Sequence, residues 1–275
     1  MRLEKCVSEL GRRVYKCTLK NTEQLGVYVE RGICNLAKVP FNTVRTYPMT
    51  PKYLLDDIRY ALSEYLSEIG IICHTGHKNG SCDFQTHSEK TVSVKTIMNS
   101  NNKICPQKVG QCTVKRFDEH FEVTQKGDTQ GKPSRDVLKG YISKNLEKLV
   151  DEYLDNTFCC DHTILVHFGK GVCYCIDKYG RLSFSRGLKF SLKNIEWNES
   201  NTVYVKTPLC SKMTLGEFQI HNNRDSVKFR FNTNTLLKLI TDRHIRGTKY
   251  TSTYLEHSYD ITTKRNIRDG QIGKK

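Results

Sequence analysis

The sequence predicts an α/β fold in which a mixed central sheet is flanked by helices and the C-terminal half is rich in β-strands. Three observations predict it: a long amphipathic helix pattern in the first third, a strand hairpin soon after it, and a series of short strands from Thr163 onward. With 275 residues, the chain is long enough for one large domain or two small ones, with a proper hydrophobic core.

The clearest helix begins after Pro51, where apolar residues recur at steps of three and four until Gly70 closes the run. These residues are Leu54, Leu55, Ile58, Ala61, Leu62, Tyr65, Leu66 and Ile69. Residues 1–50 instead alternate short apolar runs with polar turns, for example Val27-Tyr28-Val29 and Ile33-Cys34. The pattern changes to that of a helix only at Pro51.

A hairpin from Asp83 to Lys95 (D-F-Q-T-H-S-E-K-T-V-S-V-K) is the segment that most resembles a chemical site. It follows a glycine-containing loop, His74 to Ser81. After a polar stretch, Ile104 to Phe121 mixes amides, a basic pair and apolar residues, and we expect a loop running into a helix there. Alternation along the second hairpin strand places Ser93 and Lys95 on the same face.

The second half of the chain begins after a linker candidate, residues 124–135, which are polar and contain two glycines and a proline. A helix is predicted from Asp136 to Tyr153, then strands, including a hairpin formed by Glu217–His221 and Val227–Phe231. A short helix, Asn234 to Thr241, closes the folded part. The predicted parts are an N-terminal segment with the chemistry-bearing core (1–123), a β-rich recognition and dimerisation part (136–261) and a basic tail (262–275).

The charge of the chain favours a nucleic-acid partner. Its 44 Lys and Arg against 29 Asp and Glu give a formal net charge of +15, and the basic residues are spread along the chain instead of being concentrated in one run. Such an excess favours a polyanion, because each phosphate that is neutralised releases a condensed counterion. A solvated basic surface is the alternative interpretation.

The twelve cysteines do not indicate disulfide bonds. The N-terminus carries no apolar signal segment, and no stretch of about 18 apolar residues is present. We therefore expect an intracellular, cytoplasmic protein with reduced thiols and no membrane partner.

The hairpin carries groups suited to phosphodiester hydrolysis. This reaction needs carboxylates that hold a hard cation, a group that orients water, and stabilisation of the charge on the phosphate. Asp83 would be a direct metal ligand, the backbone carbonyl of Val94 would complete the ligand set, and Lys95 would place the attacking water. Oxygen ligands of this kind favour Mg²⁺ over zinc. An exposed hairpin with ordinary charges is the alternative.

The order of these elements resembles the core of the PD-(D/E)xK nuclease superfamily and, within it, the type II restriction endonucleases. The resemblance covers Tyr53 to Phe121 and includes the amide-rich segment Pro106 to Gln111. Two positions depart from the family pattern. Cys82 stands where Pro is most frequent, and Ser93 replaces the usual Glu or Asp two residues before the lysine.

This Ser-Val-Lys variant implies that a neighbouring helix supplies the missing carboxylate. Glu64 is the first choice, as metal ligand and catalytic residue beside Asp83, Ser93 and Lys95, because several family members place a carboxylate on the preceding helix. The other candidates are Glu68, Asp118, Glu119 and Glu122, with Gln111 as a neutral ligand or DNA contact. For any single one of these acids, a plain solvent-facing helix residue is the favoured interpretation.

The resemblance implies a Mg²⁺-dependent, sequence-specific endonuclease that cuts double-stranded DNA with a metal-activated water. It further implies a homodimer and no nucleotide cofactor. Three alternatives remain: a non-catalytic DNA-binding protein, a non-specific repair or recombination nuclease of the same superfamily, and a viral or host-interaction protein that binds RNA or acidic partners.

Residues that could contact DNA occur on the loop before Asp83, around the basic pair, and on the second hairpin, where Arg, Asn and Gln suit base edges. They are His74, His77, Lys78, Gln111, Lys115, Arg116, Gln219, His221, Asn222, Asn223, Arg224, Lys228 and Arg230. Alternation predicts that Lys228 and Arg230 face outward between core-facing neighbours. Alternatively, Cys73, His74, His77 and Cys82 supply zinc ligands, although their spacing matches no common finger.

Overall fold

The computed structural model describes residues 5–7, 13–19, 23–42, 48–76, 82–99, 103–107, 109–124, 132–208 and 210–263. The chain forms two compact units, neither of them contiguous in sequence. The first contains residues 1–100, 160–179 and 249–275, and the second contains residues 101–159 and 180–248. The functional division of the chain into a chemistry-bearing part (1–123) and a recognition part (136–261) stays a prediction. Within the described ranges, no helix is both long and apolar enough to cross a membrane.

The described ranges contain six α-helices and fifteen strands, which confirms the predicted mixed α/β class and the β-rich C-terminal half. The helices are α1 (Glu23–Ala37), α2 (Lys52–Ile69), α3 (Val114–Phe121), α4 (Arg135–Lys144), α5 (Leu146–Thr157) and α6 (Thr233–Thr241). The strands are β1 (Lys5–Val7), β2 (Arg13–Leu19), β3 (Ile71–His74), β4 (Phe84–Thr86), β5 (Thr91–Ile97), β6 (Lys103–Ile104), β7 (Gln111–Cys112), β8 (His162–His167), β9 (Val172–Phe184), β10 (Lys189–Leu192), β11 (Ser200–Thr207), β12 (Cys210–Ile220), β13 (Val227–Asn232), β14 (Ile245–Tyr254) and β15 (Ser258–Thr263).

Helix α1 lies in a region where the sequence pattern indicated only short apolar runs and turns. Its buried residues, Leu25, Tyr28, Val29, Ile33 and Cys34, follow helical spacing and enter the core of the first unit. Gly32 allows a close crossing with α2, because a methyl group added there would lie 2.6 Å from Ile58 Cδ1.

Helix α2 confirms the helix predicted after Pro51. It ends at Gly70, whose φ of 63° is left-handed and whose N–H donates to the carbonyl of Leu66. Gly70 leads directly into β3, the edge strand of the sheet that carries the Asp83 hairpin.

That sheet has six strands in the order β14-β9-β8-β5-β4-β3. Strands β5 and β8 are parallel, whereas β3–β4, β4–β5 and β8–β9 are antiparallel, so the sheet is mixed as predicted. Phe84, Val92, Ile164 and Val166 join the core formed with α1 and α2. A separate three-stranded sheet has the order β1-β2-β15, with β15 parallel to β2.

The second unit is built on a sheet in the order β10-β11-β12-β13-β6, with β7 also paired to β13. Helix α5 packs Tyr153 against it, with the rings of Tyr153 and Phe229 stacked at 4.6 Å. The single helix predicted over residues 136–153 is two helices, since Asn145 has a non-helical φ of −114° between α4 and α5. The predicted hairpin is present as β12 and β13, and the final predicted helix is α6.

Candidate active site

Asp83 stands just before β4, with its main chain held on both sides. Its N–H donates to the carbonyl of Val92 at 2.8 Å, and its carbonyl accepts from the N–H of Thr75 at 2.8 Å. Its carboxylate reaches β5, where Oδ2 accepts the backbone N–H of Val94 at 2.6 Å. The hairpin therefore fixes the Asp83 side chain over the strand that carries Ser93 and Lys95.

Ser93 and Lys95 lie on the face of β5 that the alternation predicted. Ser93 is buried and its side chain hydrogen-bonds to Asp83, while the positive charge of Lys95 acts on the same carboxylate. The structure thus brings together Asp83, Ser93, Val94 and Lys95 of the predicted site. Their catalytic roles stay predictions.

The second carboxylate beside Asp83 is Glu30 of α1, which the sequence interpretation did not include. A methyl group placed on Gly76 would lie 3.3 Å from Glu30 Oε2 and 3.4 Å from Asp83 Oδ1, so both carboxylates face one small space. Glu64 and Glu68, by contrast, lie on the exposed side of α2. The structure therefore offers Glu30, and not Glu64, as the partner of Asp83.

Burial and neighbouring charges both shift the pKa of the Asp83 carboxyl. Burial raises the pKa of Asp83 from 3.8 to about 6, and the nearby Glu30 carboxylate also raises it. The Val94 N–H, the Lys95 charge and the Ser93 hydroxyl oppose this increase. Two carboxylates in a partly buried space repel each other, and a bound cation would relieve that repulsion.

His74 is the third side chain at this space, although it was predicted as a DNA contact. It is only 3% exposed, and its Nε2 lies 3.1 Å from Glu30 Oε2. In the DNA-free protein the ring is thus buried against Glu30, and its predicted DNA contact stays a prediction. Cys73 contacts Gln85 and Cys82 contacts Thr75, and among the described residues Cys73, His74 and Cys82 form no group with ligand atoms within 4.8 Å of one another. His77 and Lys78 lie outside the described residues.

The remaining acidic candidates lie in the second unit, and two of them have local partners. Asp118 accepts hydrogen bonds from the backbone N–H and hydroxyl of Thr124, and Glu119 lies 3.8 Å from Lys115. Glu122, in a left-handed conformation with φ of 53°, ends α3. Gln111, Lys115 and Arg116 are exposed, as DNA contacts must be.

The hairpin of β12 and β13 has the predicted alternation, because Val227, Phe229 and Phe231 are buried while Lys228 and Arg230 are partly exposed. Its polar face contains a carboxylate, however. Glu217 pairs with Lys103 and with Arg230, the latter at 3.2 Å. Gln219 also hydrogen-bonds to Glu217.

The turn between these strands is anchored by Glu199. Its carboxylate accepts the backbone N–H of Asn222 at 2.9 Å and lies 3.2 Å from His221 Nδ1. Arg135 donates to the carbonyl of Asn222. Asn223 and Arg224 are exposed at the tip of this anchored turn.

The site beside Asp83 fits a divalent cation by its donor chemistry. The carboxylates of Asp83 and Glu30 are oxygen donors, the type that Mg²⁺ prefers, while the predicted role of the Val94 carbonyl as a ligand stays a prediction. Gly76 leaves open the space between the carboxylates that a Cβ would fill. His74 Nε2 is the nitrogen at this space, and its proton faces Glu30, so the donors left for a cation are oxygens, which favours Mg²⁺ over zinc.

A second group of ligand-type side chains lies elsewhere in the first unit. Atoms of Asp57, Glu256 and His257 lie within 4.8 Å of one another. Asp57 is fully buried, pairs with His257 at 2.7 Å and accepts the hydroxyl of Tyr259. These contacts attach the segment before and within β15 to α2, which is a sufficient structural role.

Comparison with known proteins found one informative relative. The chain is 31% identical over 225 residues to the type II restriction enzyme CviAII of Paramecium bursaria Chlorella virus 1, a match that covers 80% of this chain and 61% of the relative. The chain therefore spans about three-fifths of the relative's length. No protein-family model matches the chain, and no solved structure matches it.

Proposed function

We propose that this protein is a metal-dependent, sequence-specific endonuclease that cuts double-stranded DNA, a type II restriction enzyme with a variant PD-(D/E)xK site. One observation carries the proposal: the carboxylates of Glu30, on α1, and Asp83 face one space, beside Val94 and Lys95 of the hairpin. The similarity to a type II restriction enzyme supports the same class of activity.

In this site Asp83, Glu30 and the Val94 carbonyl would hold Mg²⁺. When bound, such an ion supplies Lewis-acid stabilisation of phosphate charge and lowers the pKa of water. Ser93 and the Val94 N–H hold the Asp83 carboxylate in place. The ammonium group of Lys95 would donate a hydrogen bond that orients the attacking water, and its charge would offset negative charge on the phosphate.

Double-stranded DNA is the proposed substrate, since the net charge of +15 suits a polyanion and exposed Asn223 and Arg224 suit base edges. We further propose a homodimer. Each chain carries the Asp83 site once, and cutting both strands at one place calls for two sites related by a two-fold axis.

The test is incubation of the full chain with plasmid DNA and Mg²⁺, followed by gel electrophoresis. Discrete bands are expected. A smear would indicate a non-specific nuclease, and intact DNA with retained binding would indicate a non-catalytic DNA-binding protein.

Variants then identify the residues that act. Asp83→Ala, Lys95→Ala and Glu30→Gln are expected to lower kcat at least about 100-fold, because each removes a group held against the reacting centre. Glu64→Gln is expected to cut normally. Full activity of Glu30→Gln together with loss in Glu64→Gln would restore Glu64 as the second carboxylate.

A further inference from the structure

His74 is held in one orientation by packing on both faces of its ring. Phe41 stacks on it at 4.8 Å, and Phe84 lies at 5.0 Å on a tilted plane. The side chain is 1% exposed. A ring enclosed in this way cannot rotate to solvent, so its nitrogens point in fixed directions.

The hydrogen bonds of His74 determine its tautomer. The backbone N–H of Asn42 lies 3.2 Å from Nδ1, and a backbone N–H can only donate. Nδ1 is therefore an acceptor, which places the ring proton on Nε2. That proton is donated to Glu30 Oε2 at 3.1 Å.

This chain of contacts ends at the carboxylate that faces Asp83. The Asn42 backbone fixes the ring, the ring fixes Oε2 of Glu30, and Oε2 lies beside the space left open at Gly76. Metal-ligating carboxylates are commonly held by hydrogen bonds from neighbouring side chains. Loss of such a neighbour lowers metal affinity strongly.

We propose that His74 is a positioning residue that holds Glu30 in the orientation needed to bind the divalent cation with Asp83. This inference rests on the proposed function, because it assigns His74 a role at the same site. His74 Nε2 also borders the space at Gly76, where a methyl group would lie 3.0 Å from it. Because Nε2 carries the ring proton that faces Glu30 Oε2, it cannot ligate a cation and acts through Glu30.

The experiment compares two amide variants of the full chain. The amide nitrogen of Gln reaches the position of Nε2, so His74→Gln retains a donor to Glu30. Asn reaches only the position of Nδ1, so His74→Asn loses it. Mn²⁺ is the probe, and its dissociation constant is measured without DNA by electron paramagnetic resonance of the free ion.

His74→Asn is expected to weaken Mn²⁺ binding about 10- to 100-fold, the usual effect of removing a group that orients a ligand. His74→Gln is expected to retain most of the affinity. In a Glu30→Gln background the two variants should bind Mn²⁺ equally, because the residue through which His74 acts is already changed. Equal affinity of both single variants and the parent protein would overturn the proposal.

A matched control distinguishes a positioning role of His74 from a purely structural one. His162 is another buried histidine of the same unit, paired with Asp177 at 2.8 Å. His162→Asn is expected to lower Tm without changing the Mn²⁺ affinity. If His74→Asn does not fold, His74→Phe, which keeps the ring packing and loses the donor, takes its place.

Asp83→Ala distinguishes failure of this inference from failure of the proposed function. If Asp83→Ala binds Mn²⁺ as tightly as the parent, the metal site itself is misplaced. If Asp83→Ala loses Mn²⁺ and His74→Asn does not, only the role of His74 is wrong.

Discussion

Asp83 is a residue whose environment opposes its charged form. It is partly buried, it faces Glu30, and these two causes raise the pKa of Asp83 to about 6 in spite of Lys95 and Ser93. A charged group placed in this way lowers the stability of the metal-free protein. The proposed role in cation binding accounts for its presence there. Under the proposed function, the same carboxylate pair would attract a cation.

Asp83→Asn is therefore expected to stabilise the metal-free protein at pH 7. Because the folded-state pKa is raised above 3.8, the proton-linked stability is present below pH 4 and is lost as the pH rises through about 6. The variant should exceed the parent by at most about 3 kcal/mol above that pH, since one pKa unit corresponds to about 1.4 kcal/mol. Urea unfolding in chelator from pH 4 to pH 8 measures this difference.

Asp161 offers a control of opposite sign in the same unit. Burial raises the pKa of Asp161, but hydrogen bonds from the N–H and hydroxyl of Thr91 outweigh it and leave the pKa lowered. Asp161→Asn should therefore destabilise the protein at pH 7 and lose that effect as the pH falls. A destabilised Asp83→Asn at pH 7 would contradict the assigned cause of the Asp83 shift.

At the scale of elements, the two helices that pack together differ in how well the sequence predicts them. Helix α2 has an unbroken apolar spacing and a glycine at its end, whereas α1 contains Gly26 and Gly32 among β-branched residues. The spacing of Leu25, Val29 and Ile33 was nonetheless a helix signal that the strand-like short runs concealed. Without a helix at α1, the sequence pattern gives no reason to place Glu30 beside Asp83.

The hairpin turn is an element whose anchoring supports a test of DNA reading. Glu199 and Arg135 hold Asn222, so Arg224 projects from a fixed turn. We expect Arg224→Ala to lose cutting at the recognition site while weak binding to other sequences persists, because a base-edge contact supplies about 1–3 kcal/mol of discrimination. Cleavage of matched and mismatched oligonucleotides measures the ratio.

Arg186, exposed on another turn of the same unit, is the matched control. Arg186→Ala should reduce affinity for all sequences alike, if it has any effect. An Arg224→Ala protein whose affinity falls equally on matched and mismatched DNA would identify Arg224 as a phosphate contact.

At the scale of the whole molecule, local patterns predicted strands but not their partners. Strand β15 pairs in parallel with β2, joining residues near both ends of the chain, and β5 pairs with β8 across a segment that belongs to the other unit. Such pairings depend on the packing of the complete chain, which a short window of sequence does not contain. The Asp83 hairpin, whose strands are adjacent in sequence, was predictable for the opposite reason.

The proposed dimer gives the last prediction, since each chain carries the Asp83 site once. Parent and Asp83→Ala chains, expressed together with different affinity tags, yield mixed dimers that hold one intact site. On a supercoiled plasmid with a single recognition site, these should mainly nick one strand, whereas the parent protein should produce linear DNA and the Asp83→Ala dimer neither product. Linear DNA formed by the mixed dimer at the parent's rate would show that one chain cuts both strands in turn. In that case the two-fold arrangement would not be required for double-strand cleavage.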